Sequence, residues 1–210
     1  MEKVVLFQGD SITDCGRERD NENNTGYGYA TMVKGEVGAK NPNVYRFYNR
    51  GISGNRIVDL YARMKADIVN LKPDYMSILM GVNDVWHEFE LANGVSAEKF
   101  EMVYSLLIEE LQQALPGLKI MIMEPFFLPR QDTPERNAYF AKEVPLRAAA
   151  AKRIAEKYNL VFVPLQETFT KANVDVPWDY WLCDGVHPTQ AGHYLIKEAW
   201  LKGFEQIKKR

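Results

Sequence analysis

The chain has 210 residues, 46% of them hydrophobic, with 26 basic side chains against 28 acidic ones for a formal charge of -2. That length and composition predict a single packed domain over residues 1–210, and the mixed, nearly balanced charge argues against a nucleic-acid or anionic-membrane surface. The apolar run Val4–Phe7 is too short for a signal-peptide core and no stretch approaches the roughly 20 apolar residues that span a bilayer, so the expectation is a soluble, cytoplasmic protein.

In chain order, β-rich apolar runs predict strands at Lys3–Gln8, Val44–Tyr48, Tyr75–Met80, Lys119–Met123 and Leu160–Val163. Between them, Ile57, Leu60, Tyr61, Met64, Ile68 and Leu71 recur at helical spacing until Lys72-Pro73. Phe100, Val103, Leu107, Leu111 and Leu115 repeat the pattern, with Ser96 as N-cap, Glu98 in the first turn and Pro116-Gly117 as the stop. Glu124–Tyr139, with its prolines and polar residues, reads as a surface loop on the substrate side of strand four. The alanine-rich segment Val144–Tyr158 predicts another helix, and Leu195, Ile196, Ala199, Trp200, Phe204 and Ile207 give a final helix its buried face. Strands alternating with helices predict an α/β fold, a parallel sheet covered on both faces.

Four short motifs fall at or after the predicted strand ends: Gly9-Asp10-Ser11, Gly51-Ile52-Ser53-Gly54, Gly81-Val82-Asn83-Asp84 and Asp184-Gly185-Val186-His187. Taken singly, each has an ordinary explanation. Ser11 or Asp10 is suited to capping a helix, Asn83-Asp84 to an Asx turn, and Asp184 to His187 to a helix-entry turn. Taken together they supply the parts of a serine esterase: Ser11 as nucleophile, His187 as general base, and Asp184 to fix the imidazole tautomer. The backbone N–H groups of Ser11 and Gly54 and the Asn83 amide are the oxyanion donors.

Of the three histidines, His193 falls inside the final helix and reads as structural, while His87 sits in a loop after Asn83-Asp84 as a second-choice base. So few histidines, with no Cys/His cluster, give no recognisable zinc site. Cys15 and Cys183 are expected to be reduced, although closure of Ser11 onto His187 would bring them near each other. Candidates for touching substrate are Asp10, Tyr27, Trp86 and Trp181, within an aromatic population that also includes Tyr29, Trp178 and Tyr180.

In order and spacing the four motifs resemble the SGNH, or GDSL-type, hydrolases, from Gly9 to His187. The resemblance implies a flavodoxin-like three-layer α/β/α sandwich with a five-stranded parallel sheet, a Ser11–His187–Asp184 triad, an oxyanion hole from Ser11, Gly54 and Asn83, and no cofactor. The longer strings GDSITDCGR, NRGISGN and GVNDVW are similar to those of bacterial intracellular xylan acetylesterases. That narrower likeness implies an acetylated xylo-oligosaccharide as substrate and a homo-oligomer as the assembled form. Two other readings stay open: a general short-chain acyl esterase or thioesterase, and a carbohydrate-binding module on the same fold that has lost catalysis.

Overall fold

A computed structural model describes residues 2–210 of the chain. Its strands are β1 (Lys3–Gly9), β2 (Tyr45–Asn49), β3 (Tyr75–Leu79), β4 (Lys119–Met123) and β5 (Val161–Val163), all parallel and ordered β2-β1-β3-β4-β5. β3, in the middle, is buried throughout its length. That is why Tyr75–Leu79 reads as a continuous apolar run and not as an alternating one.

The strands divide their side chains between two cores, as the pleat requires. Leu6, Met76, Ile78, Ile120 and Ile122 face one side, together with Ile57 and Leu60, Phe100 to Leu111, and Ala150 to Ile154. These belong to α3 (Ile57–Asp67), α5 (Ala97–Ala114) and the second half of α6 (Pro134–Lys157). Val5, Phe7, Met121 and Met123 face the other side, against Tyr29 and Val33 of α2 (Tyr29–Lys40) and Ile196, Trp200 and Phe204 of α9 (Gln190–Lys208). The shorter helices are α1 (Ser11–Asp14), α4 (Val82–Leu91), α7 (Gln166–Ala172) and α8 (Trp178–Trp181). The result is the expected three-layer sandwich with a five-stranded parallel sheet. Among the described residues, no helix is long and apolar enough to cross a membrane.

Several expected elements differ from those observed. The helix expected to run on to Leu71 ends at Asp67 and continues as a 3-10 turn over Val69–Leu71, with Lys72 in the left-handed region at φ 49°. The loop expected over Glu124–Tyr139 is helical from Pro134, ahead of the predicted start at Val144. Proline is tolerated in the first helical turn, where its missing N–H is not required, so Pro134 opens α6 instead of excluding it. His87 lies on α4 and not in a loop. α2 carries no helical signature in the sequence because apolar and polar residues are spread around it without a stripe, and four-residue helices such as α1 leave no periodic signal. Ser96 does cap α5, accepting from Lys99 N at 3.3 Å.

Strand order reverses between β1 and β3, since the chain winds from β1 to β2 on one side and then continues through β3 on the other. In open parallel sheets the crevice at the carboxyl ends of such strands is where ligands bind. Gly9, Asn49 and Leu79, the last residues of β1, β2 and β3, each lead directly into one of the motifs.

Candidate active site

The chain leaves β1 at Gly9 and turns at once into α1. The Asp10 carboxylate accepts from Ile12 N at 3.0 Å and the Asp10 carbonyl from Asp14 N at 2.8 Å, so Ser11 occupies the first helical position. Ser11 Oγ then lies 2.8 Å from His187 Nε2, across 176 positions of sequence. Asp184 Oδ2 is 2.6 Å from His187 Nδ1, while Asp184 Oδ1 accepts from Val186 N at 3.0 Å and His187 N at 2.8 Å. An aspartate whose carboxylate folds onto the following N–H groups makes an Asx-type turn, which is how a two-residue gap returns the carboxylate to the imidazole. The turn needs Gly185 at φ +87°, where a Cβ would come within 2.6 Å of the Leu128 carbonyl. A bridge between Leu182 and Pro188 and a 2.8 Å bond from Leu128 N to the Gly185 carbonyl hold it in place.

The electrostatics of the pair follow from these contacts. Burial alone would raise the Asp184 carboxyl, but the His187 hydrogen bonds outweigh it and bring its pKa down to about 2. The hydrogen bond to Asp184 raises His187 above the ordinary imidazole value, against the opposing effect of its own burial. Asp184 is therefore ionised at neutral pH and favours a charged imidazole beside it. A hydroxyl, an imidazole and a carboxylate in this chain can move a proton from serine to histidine while the carboxylate stabilises the imidazolium.

Gly54 and Asn83 come from the segments that follow β2 and β3. Gly54 has φ +80°, a conformation L side chains rarely adopt, and its surroundings are open enough that the nearest atom to a methyl placed there would be His87 Nε2 at 4.0 Å. Asn83 stands in the first turn of α4, 7% exposed, with Nδ2 donating to the Asn55 carbonyl at 3.2 Å. One amide hydrogen is thereby held, and the second is oriented but unused by that bond. His87 thus faces the Gly54 segment, while the histidine that meets Ser11 is His187.

Two carboxylates beside the motifs fix these loops. Asp14 Oδ2 accepts from both Ser53 N and Ser53 Oγ at 3.0 Å, and from Arg19 Nη2 at 2.6 Å. Asp84 is fully buried, its two oxygens 3.1 and 3.3 Å from Ile57 N, and burial pushes its pKa up to about 7. Their only sequence signal is proximity to Ser11 and Asn83. Side-chain-to-backbone bonds between remote loops have no periodicity to reveal them.

The candidates for touching substrate separate. Trp86 lies beside His187, ring centroids 5.7 Å apart, and Tyr27 is 64% exposed. Trp181 turns inward, its indole N–H shared between the Ala172 and Val176 carbonyls at 3.1 and 3.2 Å. Asp10 is 1% exposed and caps α1, so it is a buried neighbour of the site instead of a substrate contact; burial raises its pKa to about 6. His193 is 3% exposed, with Nδ1 accepting from Tyr29 N at 3.2 Å and Nε2 3.3 Å from Cys15 Sγ. Burial lowers its pKa to about 4, and the Tyr29 bond places its proton on Nε2. Both cysteines are free, Cys183 exposed and Cys15 half-buried.

Residues 7–195 match the model of the GDSL-like Lipase/Acylhydrolase family. The chain is 34% identical over 218 aligned positions to an acetylxylan esterase from Geobacillus stearothermophilus, covering 98% of this chain and 96% of that one. Among solved structures, a GDSL-like protein from Parabacteroides merdae superposes with a TM-score of 0.91 at 35% identity, over 98% of this chain and 97% of that one. A crystal structure of the Geobacillus acetylxylan esterase gives 0.84 at 33% identity, over 96% and 93%. With a family match over nearly its whole length and these relatives, the chain belongs to the GDSL-like lipase/acylhydrolase family and is a carboxylic ester hydrolase.

Proposed function

We propose that this chain, acting as one domain, removes acetyl groups from carbohydrate esters, with acetylated xylo-oligosaccharides as the substrate class and Ser11 as the nucleophile. The observation that carries the reading is the unbroken relay from Ser11 Oγ to His187 at 2.8 Å and from His187 to Asp184 at 2.6 Å. His187 takes the Ser11 proton as Oγ attacks the acetyl carbonyl, and the imidazolium gives that proton to the departing sugar oxygen. Water, deprotonated by the same imidazole, then releases acetate from the acetyl-serine. The N–H groups of Ser11 and Gly54 and the free amide hydrogen of Asn83 receive the negative charge on the carbonyl oxygen in both steps.

The relatives support the substrate class and the roles. The Geobacillus enzyme is described as an acetyl-xylooligosaccharide esterase, and its catalytic mutants replace a serine, an aspartate and a histidine by alanine. Its aspartate and histidine are three positions apart, as Asp184 and His187 are here.

The test is acetate release from acetylated xylo-oligosaccharides by the wild-type chain and by Ser11→Ala, with acetyl, butyryl and octanoyl esters in parallel. Release from the oligosaccharide that disappears in Ser11→Ala, with a steep fall from acetyl to butyryl, is the expected result. Activity that rises towards octanoyl would instead identify an acyl-chain esterase. Normal turnover by folded Ser11→Ala would overturn the mechanism.

A further inference from the structure

Arg136 sits where an arginine is costly. It lies in the first turn of α6, so its cation faces the positive end of the helix dipole, and it is only 8% exposed. Its hydrogen bond goes to a neutral group, the Asp184 carbonyl, from Nη2 at 2.5 Å, and its Nε is buried without a partner among the described residues. A buried charge usually finds a carboxylate in direct contact; an exception with an unsatisfied donor marks a site where stability has been given up for something else.

The contacts say what that is. The guanidinium lies over the Trp86 ring at 5.0 Å and the Phe140 ring at 5.3 Å, and Trp86 in turn is 5.7 Å from the His187 ring. Nη2 also packs against Gly185, 3.0 Å from where a Cβ would stand, so the Asp184-Gly185 turn rests on this side chain.

We propose that Arg136 is a positioning residue for ester cleavage: by gripping the Asp184 carbonyl and bracing Trp86 it holds the Asp184–His187 pair in register with Ser11. The inference rests on the triad reading above. A guanidinium is suited to the task because its planar fork donates at its edge while its face stacks on an aromatic ring, and an ammonium cannot do both. A shift of about 1 Å in a catalytic group can cost on the order of 100-fold in rate, so the grip matters without any contact to substrate.

The cation has a second effect. The charged and titratable groups around the imidazole are Asp184 on its own segment, Asp10 at the head of α1, Arg136 on α6 and His193 on α9, with Arg130 next to Asp184. Asp184 and Asp10 favour the imidazolium and Arg136 opposes it. Removing the Arg136 charge therefore moves the acid limb of the pH–rate profile to higher pH, since a more basic His187 stays protonated, and idle as a base, over a wider range.

The experiment compares Arg136→Met, Arg136→Ala, Arg136→Lys and Ser11→Ala on p-nitrophenyl acetate across pH. In Arg136→Met, kcat is expected to fall about 10- to 100-fold with KM little changed, and the acid limb to move upward. Arg136→Lys keeps the charge, so its limb stays near the wild-type position while kcat still falls. Guanidinium ion added to Arg136→Ala should restore part of kcat. A folded Arg136→Met with kcat within about twofold of wild type and an unmoved limb would overturn the proposal. If the Met variant does not fold, wild-type kcat in Arg136→Lys overturns it instead. Failure of the triad reading is visible separately, as turnover by Ser11→Ala.

Discussion

Replacing Asp10 by asparagine should stabilise the protein, and only above a certain pH. The carboxylate is 1% exposed, and burial raises its pKa from the ordinary 3.8 to about 6. The folded chain thus holds the Asp10 proton more tightly than the unfolded chain does, so stability from this group is complete below about pH 4. It is lost as pH rises towards 6, and is constant beyond. About two pH units at ~1.4 kcal/mol each amounts to about 3 kcal/mol. Asparagine cannot ionise but retains a side-chain oxygen for Ile12 N, the bond the carboxylate makes as the α1 cap. Urea unfolding of both proteins at pH 4, 6 and 8 gives the difference directly. The expected advantage of Asp10→Asn is near zero at pH 4 and about 3 kcal/mol at pH 8. An offset independent of pH, or a less stable variant at pH 8, would refute the assignment of a buried, reluctantly ionised carboxylate. The same variant should move the acid limb of kcat/KM downward, because Asp10 is one of the groups that raise His187.

On the proposed mechanism, kcat/KM of the wild-type enzyme is expected to fall on acidification with a midpoint above the ordinary imidazole value, because Asp184 raises His187 and only a neutral ring can accept the serine proton; a midpoint below the ordinary value would contradict this. Asn83→Ala should lower kcat by about 100- to 1,000-fold with a modest effect on KM, read in steady-state assays on an acetyl ester. Gly54→Ala meets no atom closer than 4.0 Å but must hold φ +80°, so it should cost about 1–2 kcal/mol of stability in urea melts and disturb the donor N–H enough to reduce kcat. Trp200→Ala, which empties the space of a fully buried indole stacked on Phe204 at 4.7 Å, should destabilise by about 3–5 kcal/mol in the same melts.

Much of the architecture could be read from the chain because parallel strands announce themselves. β4 begins and ends at the residues its apolar run predicts, β1, β3 and β5 differ by one residue at one end, and β2 is shifted by one residue at both. The helices were legible where one face is apolar and the stop is a proline, as in α5, and illegible where they are short or uniformly mixed, as in α1 and α2. The start of α6 is hidden because Pro134 opens the helix and Pro145 stands inside it, where a proline usually marks an end. At the candidate site, the meeting of Ser11, Asp184 and His187 is legible because the chemistry proposed for them restricts residue type and spacing. Arg136, Asp14 and Asp84 were not, because each acts through a backbone group of a segment far away in sequence. Asp10 differs for the opposite reason: adjacency to Ser11 predicts access to the crevice, whereas its carboxylate is turned onto Ile12 N as the α1 cap and is buried there.

The stack of Trp200 on Phe7, with ring centroids 5.3 Å apart, joins α9 to the strand that delivers Ser11. α9 begins just after Pro188, so the helix that carries the His187 turn into place docks on the strand from which the serine emerges. Contacts this distant in sequence form late, after the intervening loops have closed. During refolding, recovery of esterase activity should therefore lag behind the recovery of helical signal from α3 and α5, whose partners are near neighbours along the chain. Until α9 docks, Val5 and Phe7 have only the α2 part of their cover, and the apolar surface left open is a route to self-association in a chain that is not yet an enzyme.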